Sequence, residues 1–204
     1  KFLSFEVMGF FFYFNVFHHL WFLWFLIWLF AGFTLYAKFI DSMGWKRVLP
    51  KWLLFPPVNL LLLTLATAVP QLLMGRSGAM PAFGPDTNTG ILPLPHLLAY
   101  YALFFGYGAL YFDSDDKSGT VSRFWWIILP IGLFLLFPLG YELSVGGFGF
   151  VDSFTNSNLH RPISVLAQSA YPWFMAFGLM GMFRKFMGRK SYAVRYLSDS
   201  AYWL

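Results

Sequence analysis

An all-α bundle of membrane-spanning helices is the fold class this chain predicts, on three observations. Hydrophobic residues make up 58% of its 204 residues and charged residues only 11%, against about 25% charged in a soluble domain. Aromatic residues reach 23%, with 27 Phe and 9 Trp, and Trp and Tyr gather where a bilayer meets water. The apolar residues fall in runs of about 20, the length that crosses a bilayer. A soluble core of this size cannot hide so much apolar surface, so the surplus must face lipid.

Five such runs follow one another. Span A covers about Leu20 to Phe39 and span B about Trp52 to Leu73, with Pro56-Pro57 near its start. Span C covers about Leu94 to Phe112, span D about Phe124 to Leu143 and span E about Ile163 to Phe186. A sixth run opens near Ser198 and stops at Leu204. The stretch from Phe2 to Phe17 holds Glu6 and Asn15 among apolar residues. It reads equally as the tail of an earlier span or as an interfacial segment. The chain therefore reads as one partial transmembrane domain over residues 1–204, cut at both ends. No signal peptide, internal repeat or soluble domain is visible.

The loops give an orientation. Lys46 and Arg47, flanked by Lys38 and Lys51, mark the A–B loop; Lys117 and Arg123 mark C–D; Arg184, Lys185, Arg189, Lys190 and Arg195 mark E–F. The B–C and D–E loops carry only Arg76 and Arg161. Lys/Arg excess marks cytoplasmic loops, so A–B, C–D and E–F are expected in the cytoplasm and the other two outside. The formal charge of +5 thus follows the membrane rule. No basic stripe of a nucleic-acid binder is present. All four histidines, His18, His19, His96 and His160, then share the outer side with Asp86, Asp152 and Arg161. Histidine is the commonest acid–base group near neutral pH. The chain has no Cys, which excludes disulfides, thiolate metal sites and a Cys nucleophile. Four dispersed histidines have no metal-ligand spacing, so no metal site is expected.

Three motifs occur in order: His19-Leu20-Trp21-Phe22-Leu23; Phe83-Gly84-Pro85-Asp86-Thr87 with Gly90 and Leu92-Pro93, leading into Ala99 to Asp113; and Arg195-Tyr196-Leu197-Ser198-Asp199-Ser200-Ala201-Tyr202-Trp203-Leu204. Together they resemble the acyltransferase-3 family of membrane O-acyltransferases, in particular the glucans biosynthesis protein C type. The resemblance spans essentially the whole chain. It implies a multi-pass inner-membrane enzyme that moves an acetyl- or succinyl-type group from a cytoplasmic donor, acyl-CoA, to a hydroxyl of a carbohydrate or glucan. No bound cofactor is implied. The family's first span, with a basic motif and a presumed catalytic histidine, has no counterpart here, so the piece is expected to be inactive by itself.

Acyl transfer to a hydroxyl needs a base, donors for the developing oxyanion and aligned reactants. His19 is the catalytic residue that the family pattern favours; interfacial anchoring of span A fits the same position. Trp21 offers an aromatic face to a sugar or donor, as does Trp24, or simply packs. Asp86 suits acceptor hydroxyls or an Asx turn. His96, after Pro93 and Pro95 at a helix start, suits a neutral base or hydrogen-bond donor. His160 and Arg161 precede span E and suit an anionic group or sugar, although Arg161 can also snorkel to headgroups. Arg184, Lys185 and Arg189 suit the phosphates of coenzyme A, or follow from the positive-inside rule. Asn59 reads as interhelical glue, and Ala102, Gly106 and Gly108 as a close-packing face. A transporter or flippase of an acyl or glycolipid substrate is the competing reading. Spans A to E carry no ionisable residue near their centres, which speaks against ion-coupled transport.

Overall fold

The computed structural model describes residues 20–44, 51–75, 83–88, 90–146, 148, 149, 157–188 and 196. Among them every regular element is helical. Helix α1 spans Trp21–Ser42, α2 Lys51–Leu54, α3 Val58–Gln71, α4 Pro95–Asp113, α5 Trp125–Ile131, α6 Phe137–Ser144 and α7 Ser157–Met187. A 3₁₀ turn covers Thr120–Ser122. Each of the five apolar runs is helical, and three rods are long and apolar enough to cross a membrane: Trp21–Ser42, Trp125–Ser144 and Leu159–Met187. The sixth run lies wholly outside the described residues.

The differences from expectation trace to proline. Span B is divided, because Pro56 and Pro57 supply no amide hydrogens where the helix would continue. Only the 14 residues of α3 remain on the far side, roughly 21 Å at 1.5 Å per residue. The break frees the carbonyl of Leu54, and a buried amide and a half-buried hydroxyl collect it. Asn59 Nδ2 donates to it at 2.7 Å and the Tyr107 hydroxyl at 2.8 Å. Asn59 Nδ2 also lies 3.3 Å from the Tyr107 oxygen, so Asn59 joins α3 to α4. Span D is one continuous rod with a π-helical turn at Gly132–Leu136, bracketed by Pro130 and Pro138. A wider turn there accommodates the amide that Pro138 lacks. Span E begins six residues earlier than expected. His160, Arg161 and Pro162 therefore lie inside α7 rather than before it.

Helix α7 is the hub, packed against α3, α5, the π turn and α6, while α4 packs on α3 and α1 on α4. Half of the most apolar window of α7 is buried, against 11% for α1, so α1 is the peripheral rod. Two core clusters hold the bundle. One joins Leu60, Val121, Ile128, Trp173 and Phe177. The other joins Phe25, Met74, Leu97 and Tyr100. Phe104 touches both and stacks on Trp173 at 4.2 Å and 11°.

Glycine sets the closest helix approach, on a different helix from the expected one. A Cβ at Gly181 would lie 2.3 Å from Trp125 Cβ and 2.6 Å from the Ser122 carbonyl oxygen. One at Gly178 would lie 2.9 Å from Leu129 Cα. These two, three residues apart on α7, let α5 approach. A Cβ at Gly106 or Gly108 meets nothing within 4 Å. Among the described residues, these two glycine positions face open space rather than a packed helix.

Candidate functional site

Side chains from four segments converge at one end of the bundle. The turn after α3 is held from both sides. Asp86 Oδ2 accepts the Gly75 amide at 2.8 Å, and Arg161 Nη2 donates to the carbonyls of Leu72 at 2.9 Å and Met74 at 3.0 Å. A helix end leaves carbonyls without partners, and α7 supplies a guanidinium to collect them. The chain entering this region is fixed by Gln168, whose Oε1 accepts the Gly84 amide at 2.8 Å, and by Gln71 Nε2, which donates to the Gly84 carbonyl at 3.2 Å. The Phe83 ring then sits among Phe137, Tyr141 and Tyr171.

The aromatic residues close the other side. Trp24 Nε1 donates to the Ile91 carbonyl at 2.7 Å, tying α1 to the segment before α4. Trp21 packs on Phe25 and Tyr101 at ring separations of 5.7 and 5.6 Å. Asp86 lies near enough to Tyr101 for the two to interact electrostatically. His96 occupies the first turn of α4 and is half-buried, as is His160 beside Arg161 in α7. Trp21, Trp24, Asp86, His96, His160 and Arg161 thus share one end. His18 and His19 lie outside the described residues, directly before Leu20. Asp86 and Arg161 are both engaged with main chain, so their first role in the geometry is to fix the site's floor.

The opposite end carries a cleft of about 910 Å³. Trp52, Phe55, Pro56 and Pro57 form its apolar wall, and Asp113, Asp115, Lys117 and Thr120 lie on its polar rim. The rim is organised by Asp116, which accepts hydrogen bonds from Ser118 Oγ at 2.8 Å, the Val121 amide at 3.1 Å and the Tyr111 hydroxyl at 3.2 Å. Arg184 donates to the carbonyls of Asp116 and Lys117. Gly119, at φ 73°, lets that guanidinium lie across it; a Cβ there would meet Arg184 Cζ at 2.6 Å. The cation expected to meet donor phosphates is therefore also a clamp between α7 and the α4–α5 loop. Lys185 is exposed beside it, and Arg189 lies outside the described residues. The two ends are separated by the length of α4, whose 19 residues rise roughly 27 Å.

Burial alone raises the Asp116 carboxyl, but the amides of Thr120 and Val121 and the hydroxyls of Ser118 and Thr120 outweigh it. They hold the group down to about 2, from 3.8. A folded value below the unfolded one gives stability that is complete above about pH 4 and lost as pH falls through about 2. Thermal unfolding of wild type and Asp116→Asn between pH 5 and pH 2 is expected to show a gap that narrows with acid. A constant gap contradicts the assignment.

Two features escaped the sequence reading. The first is a buried polar seam between α3 and α7. Gln71 Nε2 lies 3.5 Å from Gln168 Oε1, Gln168 Nε2 donates to Ser164 Oγ at 2.8 Å, and Trp173 Nε1 donates to Thr67 Oγ1 at 3.3 Å. Ser169 is fully buried beside them. The signal was Thr64, Thr67 and Gln71 recurring three and four residues apart in an apolar run. The second is Glu142, buried at the end of α6, whose carboxylate accepts the amides of Phe148 at 2.7 Å and Gly149 at 2.6 Å. A lone Glu just before a Gly-Gly turn was its only mark. No family model, curated protein or solved structure matches the chain.

Proposed function

We propose that the chain is the transmembrane core of a multi-pass inner-membrane O-acyltransferase, with five spans and the start of a sixth. It would transfer an acetyl- or succinyl-type group from acyl-CoA to a carbohydrate hydroxyl. The observation that carries this reading is the two-ended arrangement. An aromatic, carboxylate and histidine site lies at the end with few cations, and a large cleft lies at the end that holds Lys117, Arg123, Arg184 and Lys185. The Lys/Arg bias favours a cytoplasmic cleft, on the side where acyl-CoA is supplied, and an outward Asp86 end, where a glycan is met.

The step itself is acyl transfer from a thioester to a hydroxyl, forming a C–O bond as the C–S bond breaks. The acceptor oxygen attacks the acyl carbonyl, a base removes the hydroxyl proton, and the thiolate leaves and is protonated. His19, two residues before Trp21 in the sequence, is the residue assigned as base. Trp21 and Trp24 offer ring faces to the acceptor, and Asp86 with Arg161 fixes the floor beneath it. Arg184 and Lys185, with Arg189, are the cations assigned to the donor.

The test is full-length protein in membranes with labelled acyl-CoA and a glucan acceptor. Label covalently retained on the glycan is the expected result. Movement of label across the membrane with no covalent product favours a transporter or flippase and overturns the reading.

A further inference from the structure

Among the described residues, three buried side-chain atoms have no hydrogen-bond partner in the chain: Asn59 Oδ1, Gln71 Oε1 and Ser169 Oγ. Leaving a buried polar group without a partner costs free energy, so each marks a place where something else can bond. Asn59 stands in the first turn of α3, and Gln71 closes the same helix at its other end. Gln71 and Ser169, by contrast, fall together in the polar seam between α3 and α7.

Their meeting follows from the contacts around them. Gln71 Nε2 lies 3.5 Å from Gln168 Oε1, and Trp173 Nε1 donates to Thr67 Oγ1 at 3.3 Å. Ser169 comes between these two pairings on α7, one residue after Gln168 and four before Trp173. At about 100° per residue its direction also falls between theirs, so it faces α3 near the level of Gln71. The free atom of Gln71 is its oxygen. Turning the amide over would set that oxygen against the Gly84 carbonyl and Gln168 Oε1, two groups that only accept.

The pair selects a small neutral molecule that both donates and accepts. Gln71 Oε1 can only accept, while the Ser169 hydroxyl does either. Ala68, one turn before Gln71, and Ala170, next to Ser169, are buried as well, so side chains at this level are short. Farther along α3 and α7, Leu60, Trp173 and Phe177 fill the core. The groups bonded along the seam are neutral amides, hydroxyls, an indole and main chain. A cation there would be a buried charge without a counter-charge, which costs far more than a neutral molecule. Water fits, since a buried water bonds about three otherwise unpaired polar groups.

We infer that the α3–α7 seam holds an ordered water molecule, which donates to Gln71 Oε1 and bonds Ser169 Oγ. It fixes the Gln71 amide. That amide and Gln168 together grip the Gly84 main chain ahead of Asp86. The inference rests on helix packing and not on acyl transfer, so the two fail separately.

The experiment is X-ray radiolytic footprinting of the full chain in micelles, with oxidation read residue by residue by mass spectrometry. Trp173 is 2% exposed and one turn from Ser169, so a water held in the seam delivers a radical beside it. Trp173 is expected to be oxidised. Immediately after mixing into ¹⁸O-water, its added oxygen is expected to be ¹⁶O, while exposed Trp126 takes ¹⁸O. Ser169→Ala is expected to cut oxidation of Trp173 at least about threefold, because a water short of its usual three or so partners is poorly held. Phe25, buried in the other core cluster, stays unoxidised in a folded variant. The isotope measurement needs no variant, so it decides the matter should Ser169→Ala unfold. Trp173 as inert as Phe25 means a dry seam and overturns the inference. Trp173 taking ¹⁸O as fast as Trp126 means a seam open to solvent, which overturns it too. So does oxidation that Ser169→Ala leaves unchanged in a folded protein, or that changes when sodium is replaced by N-methylglucamine, which would assign the seam to a cation.

Discussion

Gly181→Ala is expected to destabilise the bundle by about 1–3 kcal/mol, the usual cost of forcing extra volume into a filled contact. The added methyl would lie 2.3 Å from Trp125 Cβ and 2.6 Å from the Ser122 carbonyl oxygen. One of these is main chain and the other is fixed to it, so no side-chain rotation relieves the clash. The α5–α7 contact must open, and with it the core cluster built on Ile128 and Phe177. Gly178→Ala acts on the same contact through Leu129, so the double variant is expected to cost less than the sum of the two. Gly106→Ala and Gly108→Ala are the controls. Each enters open space, and alanine favours the helix, so neither lowers stability. Thermal unfolding in one detergent measures all five proteins, at roughly 2–4 °C per kcal/mol for a chain of this size. Equal losses at positions 106 and 181 would show that α4, too, packs tightly through its glycines.

His19→Ala in the full-length protein is expected to lower acyl transfer at least about tenfold while membrane insertion is unchanged. The loss needs only about 1.4 kcal/mol of transition-state stabilisation, well within what a positioned base supplies. The motivation is sequence position: His19 stands two residues before Trp21, which packs on Tyr101 at the Asp86 end. Asp86→Asn helps to divide structure from chemistry. Its amide oxygen can still accept the Gly75 amide, as Asp86 Oδ2 does at 2.8 Å, so the turn survives and only the charge goes. Normal turnover by the His19 variant would return that residue to anchoring α1.

The helices were legible because the apolar residues fall in runs of about 20, the length that crosses a bilayer. The start of α7 was misread because Pro162 looks like a helix entrance. The helix instead begins at Ser157 and carries Pro162 in its second turn. Composition and spacing also gave the sharing of one end by His96, His160, Asp86 and Arg161, since alternating rods must return loops to alternating ends. What escaped depends on which face of a rod meets a neighbour. Gly106 and Gly108 match a packing motif as well as Gly178 and Gly181 do, and only the position of α5 separates them. The main-chain contacts of Arg161 and Arg184 were not legible, because a sequence does not show carbonyls waiting for a donor. Those carbonyls exist only once the turn after α3 and the α4–α5 loop are in place. The α3–α7 seam was missed for a similar reason. A Gln or Thr inside an apolar run is unremarkable until its partner on another helix is known.

Sidedness of transfer tests the central claim most directly. The chain has no native cysteine, so single cysteines at positions 86 and 115, labelled with an impermeant reagent, report orientation in sealed vesicles without background. With orientation fixed, labelled acyl-CoA is supplied only on the side of Lys117 and Arg184, and the glucan acceptor only on the side of Asp86. The expected result is labelled glucan on the Asp86 side, with none when donor and acceptor are exchanged. Product that forms only when both reactants share one side, or equal accessibility of positions 86 and 115 from the same face, would contradict a two-ended transferase.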